Sequence, residues 1–172
     1  MFLSEIDQHI DKFQDFPKSG ILYRDLMPIL RKPKIFLELI NRMSSSPIYK
    51  NSDAIVGIDA RGFIFASAIA IKLSKPLVLA RKQGKLPGEI INQSYDLEYG
   101  KNSLSIQKSA LKDFKKFIIV DDLLATGGTA NCVYNILSKM GKEVLGLSVV
   151  IELKELNGRA ALLFPVVSQI SY

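Results

Sequence analysis

One stretch, residues 117–130, constrains the fold of this chain more than any other part of its sequence. It reads FIIVDDLLATGGTA. Its first four residues are apolar and mostly β-branched, which is typical of a strand that is buried on both faces in a parallel sheet. Gly127 and Gly128 then allow the backbone to approach a ligand closely, and residues 130–140 are compatible with a helix. The stretch therefore predicts a strand, a tight turn and a helix in an α/β protein.

The turn after this strand has the chemistry of a phosphate site. Thr126 and Thr129 offer hydroxyl groups, and the start of the following helix offers backbone N–H groups. Asp121 and Asp122 stand at the carboxyl end of the strand, where open α/β sheets bind ligands, and we expect them to face solvent. Two carboxylates would repel a phosphate, so they are expected to face either ribose hydroxyls or a metal ion. The pattern is neither a P-loop nor a GxGxxG dinucleotide turn.

The composition is that of an ordinary soluble protein of one domain, residues 1–172. The chain is 48% hydrophobic and 23% charged. Its single cysteine, Cys132, excludes an intrachain disulfide and favours a reducing compartment. Acids interrupt the apolar pattern of the N-terminus, which is not the pattern of a signal peptide. No apolar run approaches the length of a membrane span. We therefore expect a cytoplasmic protein that makes no membrane contact.

The net charge of +6 fits two kinds of partner. A basic surface attracts polyanionic small molecules and nucleic acids alike. The lysines are scattered, however, and no dense basic cluster with interleaved aromatic residues occurs. We therefore expect a solvated basic surface and no nucleic-acid partner. The alternative, a regulator that keeps this fold and binds nucleic acid, would need an added DNA-binding domain or a basic RNA-binding face.

Hydrophobic periodicity predicts the remaining elements of the chain. Residues 15–30 contain Pro17 and Gly20 and are predicted to form a loop with short extended pieces. We expect His9 to be exposed and Cys132 to lie in the core. Helices are predicted for residues 3–13, 34–43 and 63–73, a partly helical segment for 106–114, and a polar turn or helix for 151–159. Strands are predicted for residues 53–58, 75–80, 144–151 and 160–167.

Three further segments carry residues suited to ligand binding. Arg61, beside a glycine and a helix start, is a candidate anion fork. Residues 83–104 form a long connection with three glycines and a proline, which predicts either a functional lid or a β-ribbon. Tyr23, Arg24 and Asp25 are either an ion pair on a turn or part of a flat site, in which Tyr23 stacks on a planar base.

Six blocks of sequence together resemble the adenine branch of the type I phosphoribosyltransferases. These blocks are DFPKSGILYRD, GIDARGFIF, RKQGKLPGE, YDLEYG, VDDLLATGGTA and IELKELNGR, and they span nearly the whole chain in the family's order. The resemblance implies the type I phosphoribosyltransferase fold, a mostly parallel central sheet flanked by helices. It also implies a small N-terminal hood around residues 15–30 and a flexible lid loop around residues 83–104.

The resemblance also implies a reaction. The 5-phosphoribosyl group of phosphoribosyl pyrophosphate (PRPP) would pass to adenine, giving AMP and pyrophosphate in purine salvage. Mg²⁺ would be the cofactor, held mainly by PRPP with Asp121 and Asp122 nearby, and the enzyme would be a homodimer. The runner-up within this class is transfer to hypoxanthine or to another 6-aminopurine.

Site residues follow from the same resemblance. Asp121 and Asp122 would face the ribose hydroxyls. Glu98 and Tyr99 would belong to a closing loop, and Glu98 would act in proton transfer. The 5′-phosphate would bind Ala125, Thr126, Gly127, Gly128 and Thr129. The pyrophosphate would bind Arg61, Arg81, Lys82 and Lys85, one or more of them from a partner subunit. Adenine would contact Leu22, Tyr23, Arg24 and Leu156.

Two residues depart from the family's pattern, and one backbone feature is expected from it. Met27 and Ala66 stand where the family usually has threonine and glycine, and neither change removes a group that the chemistry requires. The Asp59–Ala60 peptide bond is expected to be cis, because this geometry turns backbone N–H groups toward pyrophosphate within few residues.

Overall fold

The structure, a computed structural model, describes residues 2–97 and 100–172, and these residues fall into two compact units. The first unit ends at Arg42 and the second begins at Met43. Within the first unit, a short strand pair is antiparallel, with Phe13 opposite Tyr23. Its elements are α1 (Phe2–Asp7), β1 (Asp11–Gln14), β2 (Leu22–Asp25), α2 (Met27–Leu30) and most of α3 (Pro33–Ser44).

The second unit is built on one mixed sheet, for which the described residues supply eight strands. The strands are β3 (Ala54–Ile58), β4 (Leu77–Lys82), β5 (Ile90–Leu97), β6 (Gly100–Gln107), β7 (Lys116–Val120), β8 (Leu123–Leu124), β9 (Glu143–Glu152) and β10 (Val166–Ser171). The helices are α4 (Gly62–Leu73) and α5 (Gly128–Lys139), with single 3₁₀ turns at Pro47–Tyr49, Ser109–Leu111, Lys154–Leu156 and Gly158–Ala161.

The order of strands across the sheet is β10-β9-β7-β3-β4-β6-β5, and β8 pairs with β9. Strands β10, β9, β7, β3 and β4 are parallel, whereas β6 pairs antiparallel with both β4 and β5. The predicted fold class, a mostly parallel sheet flanked by helices, is confirmed.

Burial explains why the centre of the sheet is so apolar. Every residue of β3 is buried, as are the last four residues of β7. Helix α4 packs on β3, and α5 packs on β9 and on the β5–β6 ribbon. The approach of α4 is close, because a Cβ on Gly57 would lie 2.8 Å from Cβ of Ala66. Cys132 lies in this core as expected, and burial raises the pKa of its thiol to about 11.

The registers bring three strand ends together. Gly57 of β3 stands opposite Val120 of β7, and Ile58 stands opposite Ala80 of β4. Because these strands are parallel, the residues that follow each of them emerge at one edge of the sheet. That edge is where an open α/β sheet binds its ligands.

Two predicted elements have different bounds. The first helix ends at Asp7 instead of residue 13, because the chain turns and enters β1, where pairing with β2 leaves Phe13 half-exposed. The predicted strand at 160–167 begins only at Val166. The apolar residues before it reflect burial of Leu162 and Phe164 next to a 3₁₀ turn, not a strand.

The connection at residues 83–104 contains a β-ribbon. Strands β5 and β6 pair from Ile90 opposite Gln107 to Leu97 opposite Gly100. Because β6 continues to Gln107, the helical part of the 106–114 segment is confined to Ser109–Leu111. Glu98 and Tyr99 lie outside the described residues. Lid closure, the hood and the single-domain organisation stay predictions. Among the described residues, no helix is both long and apolar enough to cross a membrane.

Candidate active site

A cavity of about 400 Å³ opens at the carboxyl edge of the sheet. It is formed by the segments that follow β3 and β7, by the end of β4 and by the turn that leads into α5, here called the 125–129 loop. Most of the residues predicted to bind PRPP line it, although they come from three separate parts of the sequence. These residues are Arg61, Lys82, Asp121, Asp122, Ala125, Thr126, Gly127, Gly128 and Thr129.

The two carboxylates at the end of β7 differ in environment. The N–H of Asp121 donates to the Ser148 carbonyl, and the N–H of Asp122 donates to Oδ1 of Asp121 at 2.8 Å. Burial, and next the negative charge of Asp122, raise the pKa of Asp121 well above its usual range. Asp121 as a residue is half-buried, but its carboxyl lies against backbone. The site therefore holds one carboxyl group, that of Asp121, whose ionisation is unfavourable.

Asp122 does not face solvent, contrary to the sequence-based expectation. It is only 6% exposed, and its Oδ2 accepts a bond from Nε of Arg61 at 2.8 Å. Its carbonyl accepts bonds from the N–H groups of Val150 and Ile151 on β9. A charged group can be buried here because the guanidinium compensates it. Arg61 thus pairs with a carboxylate of the site, and its predicted contact with pyrophosphate stays a prediction.

The segment between β3 and α4 fits tightly against this pair. The Asp59–Ala60 peptide bond is cis, as expected from the resemblance. A Cβ on Gly62 would lie 2.7 Å from Oδ1 of Asp121 and 3.0 Å from the carbonyl oxygen of Val120. Glycine at this position therefore allows the start of α4 to approach the carboxylate.

The 125–129 loop has the backbone geometry of an anion site. Gly127 has a φ of 85°, a left-handed conformation that favours glycine, and α5 begins at the next residue. Helix N-termini carry N–H groups without intrahelical partners and a positive dipole end. Asp121, Asp122 and this loop line the same cavity, so the acids and the loop can serve different parts of one ligand.

The other predicted cations lie around the end of β4. Nε of Arg81 is 3.4 Å from Oδ2 of Asp59, and its Nη1 donates to the Lys85 carbonyl at 3.2 Å. The backbone N–H of Lys82 also approaches Oδ2 of Asp59 at 3.4 Å, and Lys85 is exposed. Asp59, which sequence reasoning did not select, therefore helps to orient this group.

The residues predicted to bind adenine belong to different units. In the first unit, Tyr23 lies on β2 and meets Phe16 edge to face, with ring centroids 5.1 Å apart. Leu22 is exposed, and Arg24 is half-buried. In the second unit, Leu156 ends a 3₁₀ turn and is 41% exposed. Their adenine contacts stay predictions.

Comparison with known proteins agrees with this geometry. Residues 29–165 match the phosphoribosyl transferase domain model. The adenine phosphoribosyltransferase of Prochlorococcus marinus (strain MIT 9211) is 57% identical over the full length of both chains. The chain belongs to the adenine phosphoribosyltransferase family.

Solved structures of the same family have the same fold. The enzyme from Thermoanaerobacter pseudethanolicus is 37% identical, with a TM-score of 0.92 over 99% of each chain. The enzyme from Saccharomyces cerevisiae, complexed with an iminoaltritol bisphosphate and adenine, is 34% identical, with a TM-score of 0.90 over 98% of each chain.

The departures from the family's pattern lie at separate places. Ala66 is fully buried on α4, where its Cβ faces Gly57 of β3. Met27 begins α2 and is half-buried, and its N–H donates to Oδ1 of Asp25 at 3.0 Å. Asp25 thus accepts a backbone N–H at the start of α2, which is a structural role for the charged residue beside Tyr23 and Arg24.

Sequence reasoning also missed an ionic network beside the site. Glu152, the last residue of β9, is 4% exposed and accepts a bidentate interaction from Arg159 at 2.5 and 2.7 Å. Ser168 donates to the same carboxylate at 2.7 Å. The hydrogen bond with Arg159 lowers the pKa of Glu152. Glu152 and Arg159 both lie in the block IELKELNGR, but Ser168 lies outside it, and no local spacing links the three residues.

Proposed function

We propose that this chain transfers the 5-phosphoribosyl group from PRPP to adenine, giving AMP and pyrophosphate. One observation carries this function: a carboxylate pair, a glycine-containing loop at a helix start and two cations line the same cavity. PRPP is a phosphorylated sugar with a pyrophosphate leaving group. It therefore presents hydroxyl groups that suit the carboxylates and anionic groups that suit the loop and the cations. Full-length identity of 57% to an adenine phosphoribosyltransferase supports adenine as the acceptor.

In this proposal, the binding roles follow from charge. The 125–129 loop takes the 5′-phosphate, because its helix start attracts anions. Asp121 and Asp122 accept hydrogen bonds from the ribose hydroxyls. Arg61 and Lys82 neutralise the departing pyrophosphate, and Arg61 exchanges its contact with Asp122 for one with the ligand.

Arg81, Lys85, Glu98 and Tyr99 complete the proposed PRPP site. Arg81 and Lys85, around the end of β4, would bind the pyrophosphate, and one or more of the cations would come from a partner subunit. Tyr99 and Glu98 belong to the closing loop, which excludes water that would hydrolyse PRPP. Glu98 moves the proton of the base.

Adenine selection is assigned to four residues. Tyr23 stacks on the base, and its edge-to-face contact with Phe16 supports the ring. Backbone groups of Leu22 and Arg24 read the edge of the base, and Leu156 closes its other side. Leu22 and Leu156 are exposed apolar side chains, as expected of residues that a planar ligand would cover.

Mg²⁺ fits the residues present if PRPP supplies most of its ligands. Among the described residues, no group of three or more His, Cys, Asp or Glu could hold a metal ion. Mg²⁺ typically binds one or two carboxylates together with substrate phosphates, and Asp121 and Asp122 provide such a pair. When bound, the ion would neutralise charge on the pyrophosphate.

An assay of labelled purines with PRPP and Mg²⁺ tests the proposed function. We expect AMP formation from adenine and much slower reaction of hypoxanthine and guanine. A 6-oxo group reverses the donor and acceptor pattern that the backbone reads, and a site built to hydrogen-bond one pattern rejects the other strongly. Comparable turnover of hypoxanthine would contradict the adenine assignment and leave PRPP use intact.

We also propose a cytoplasmic homodimer. The resemblance supports the dimer, and light scattering should then give twice the chain mass of 19.2 kDa. The single, buried Cys132 thiol supports a reducing compartment. A scattering mass of one chain at assay concentration would contradict the dimer, and cell fractionation tests the location.

A further inference from the structure

The Gly158–Ala161 turn packs directly against the 125–129 loop. A Cβ on Gly158 would lie 2.1 Å from the carbonyl oxygen of Ala125, and a Cβ on Gly127 would lie 2.7 Å from the carbonyl oxygen of Gly158. Two backbones therefore touch with no room for a side chain between them. A shift of the turn would have to displace the loop as well.

Arg159, the residue after Gly158, fixes this turn to two neighbouring strands. Its Nε and Nη2 bind the two carboxylate oxygens of Glu152 at the end of β9. Its Nη1 donates to the carbonyl of Val166 at 2.7 Å, where β10 begins. Ser168 of β10 donates to Glu152 in turn, so the carboxylate is held from two sides. Planar bidentate pairing of this kind fixes orientation as well as distance.

The same strand end also holds the segment that leads into the loop. The N–H of Ile151 donates to the Asp122 carbonyl at 3.0 Å, and the N–H of Leu153 donates to the Leu124 carbonyl at 2.9 Å. Glu152 lies between these two donors. The N–H groups of the residues before and after Glu152 therefore bind the backbone that leads into the loop, and the Glu152 carboxylate binds Arg159.

We propose that Arg159 and Glu152 are positioning residues that hold the 125–129 loop in the geometry required to bind the 5′-phosphate. This inference rests on the proposed function of that loop. Neither Arg159 nor Glu152 is among the described residues that line the cavity, so their effect on phosphate binding is indirect. The pair sets affinity for the phosphate through the contacts of Gly158 with Ala125 and Gly127.

A purely structural role for the pair predicts a different result. If the pair only stabilised the fold, its loss would lower the melting temperature and leave the ligand preferences of the folded protein unchanged. A positioning role instead predicts a loss confined to ligands that carry a 5′-phosphate. AMP and adenosine separate the two, because they differ only in that phosphate.

Calorimetric binding of AMP and adenosine to Arg159→Lys and Glu152→Gln provides the test. Arg159→Lys keeps the charge and removes the bidentate geometry, and Glu152→Gln keeps the shape and removes the charge. We expect AMP affinity to fall on the order of tenfold to a hundredfold, the scale of a small misplacement of binding groups, with little change for adenosine. KM for PRPP should rise more than kcat falls.

Glu143→Gln is the matched control. Glu143 begins β9, which Glu152 ends, and it pairs with Lys116 at 3.7 Å. This variant removes an ion pair from the same strand at the opposite edge of the sheet, so AMP affinity should not change. Equal losses for AMP and adenosine in folded Arg159 and Glu152 variants would overturn the inference, as would unchanged AMP affinity.

A double variant keeps the test decisive if a single substitution prevents folding. Arg159→Met with Glu152→Leu replaces the pair with apolar groups and leaves no unpaired buried charge. We expect it to fold, as checked by its thermal transition, and to retain the selective loss of AMP affinity. A wild-type protein that forms no AMP would refute the proposed function and this inference with it. A wild type that forms AMP, with variants that bind AMP normally, would refute only the inference.

Discussion

Asp121 is the residue at which stability and function oppose each other most directly. Its pKa is raised because the carboxyl is buried and lies beside Asp122. The folded state therefore favours the protonated carboxyl, so folding stability falls as the pH rises from the unfolded pKa through the higher folded pKa. At neutral pH an ionised Asp121 destabilises the fold, and the proposed binding of ribose hydroxyls gives a reason to keep it.

Asp121→Asn should therefore raise stability and lower activity. Asparagine can still accept the 2.8 Å bond from the N–H of Asp122, and it carries no charge. We expect a higher melting temperature than wild type at pH 7 to 8, and a difference that shrinks as the pH falls. A hydrogen bond contributes roughly 0.5–1.5 kcal/mol between neutral groups and roughly 1.5–3 kcal/mol when one group is charged, so PRPP affinity should drop between about threefold and a hundredfold. Thermal unfolding across pH and calorimetry with PRPP measure both effects.

Asp122→Asn is the informative comparison for this prediction. Asp122 pairs with Arg61 at 2.8 Å, so its replacement removes the negative charge that compensates the guanidinium. We expect this variant to lose both stability and PRPP affinity, in contrast to Asp121→Asn. Equal melting temperatures for the two variants, or unchanged PRPP binding by the Asp121 variant, would contradict the division of roles between the two acids.

At the scale of elements, the contact of α4 with β3 explains how the chain accommodates Ala66. The Cβ of Ala66 occupies the space beside Gly57, which therefore has to be glycine. Phe63 also lies close, since its Cδ1 would be 3.3 Å from a Cβ on Gly57. Because α4 begins at Gly62, beside Asp121, this packing also sets the position of the cavity wall.

Gly57→Ala should destabilise the protein, and Ala66→Gly should partly rescue it. Overpacking of a core typically costs about 1–3 kcal/mol. The rescue should be incomplete, because glycine within a helix costs roughly 0.5–1 kcal/mol and Phe63 stays close. Chemical denaturation of both single variants and the double variant gives the coupling free energy. Simple additivity of the two losses would show that the two residues do not share the space.

The proposed closing loop leads to a prediction about Glu98. If Glu98 acts in a closing loop, Glu98→Gln should lower kcat more than it weakens PRPP binding. General acid–base assistance is typically worth on the order of 10²–10⁴-fold. Steady-state kinetics together with calorimetry separate the two quantities. A fall in kcat below about threefold would mean that Glu98 only shapes the loop.

The elements also show which features the sequence could reveal. Strands β3 and β7 were predictable because each is a continuous apolar run, and the acids and glycines after β7 form one ordered pattern. Phe13 and the 160–165 segment were misjudged, because apolar spacing reports burial and does not distinguish a helix from a paired strand or a 3₁₀ turn. The Glu152–Arg159–Ser168 network depends on the register of β9 with β10, which no local pattern encodes.

For the whole molecule, two carboxylates should control stability in acid. Backbone N–H groups of Lys115 and Lys116 lower the pKa of Asp53, and the hydrogen bond with Arg159 lowers that of Glu152. Each lowered pKa contributes stability that is present above the ordinary values of 3.8 and 4.5, and this stability is lost as the pH falls through the lowered values. Asp121 has the opposite sign, so stability should be greatest on the acid side of neutrality.

Glu152→Gln tests this balance. At neutral pH we expect a loss of roughly 1–3 kcal/mol. The loss should lie toward the low end of that range, because the Arg159 side chain is 47% exposed and solvent screens the pair. As the pH falls through the lowered pKa of Glu152, the wild-type carboxylate takes up a proton and the two proteins should converge in stability. Urea unfolding of wild type, Glu152→Gln and Asp53→Asn between pH 3 and 8 measures this balance for both carboxylates. Parallel curves for wild type and Glu152→Gln would mean that the pair does not contribute to acid unfolding, and that its value to the molecule lies only in the geometry of the loop.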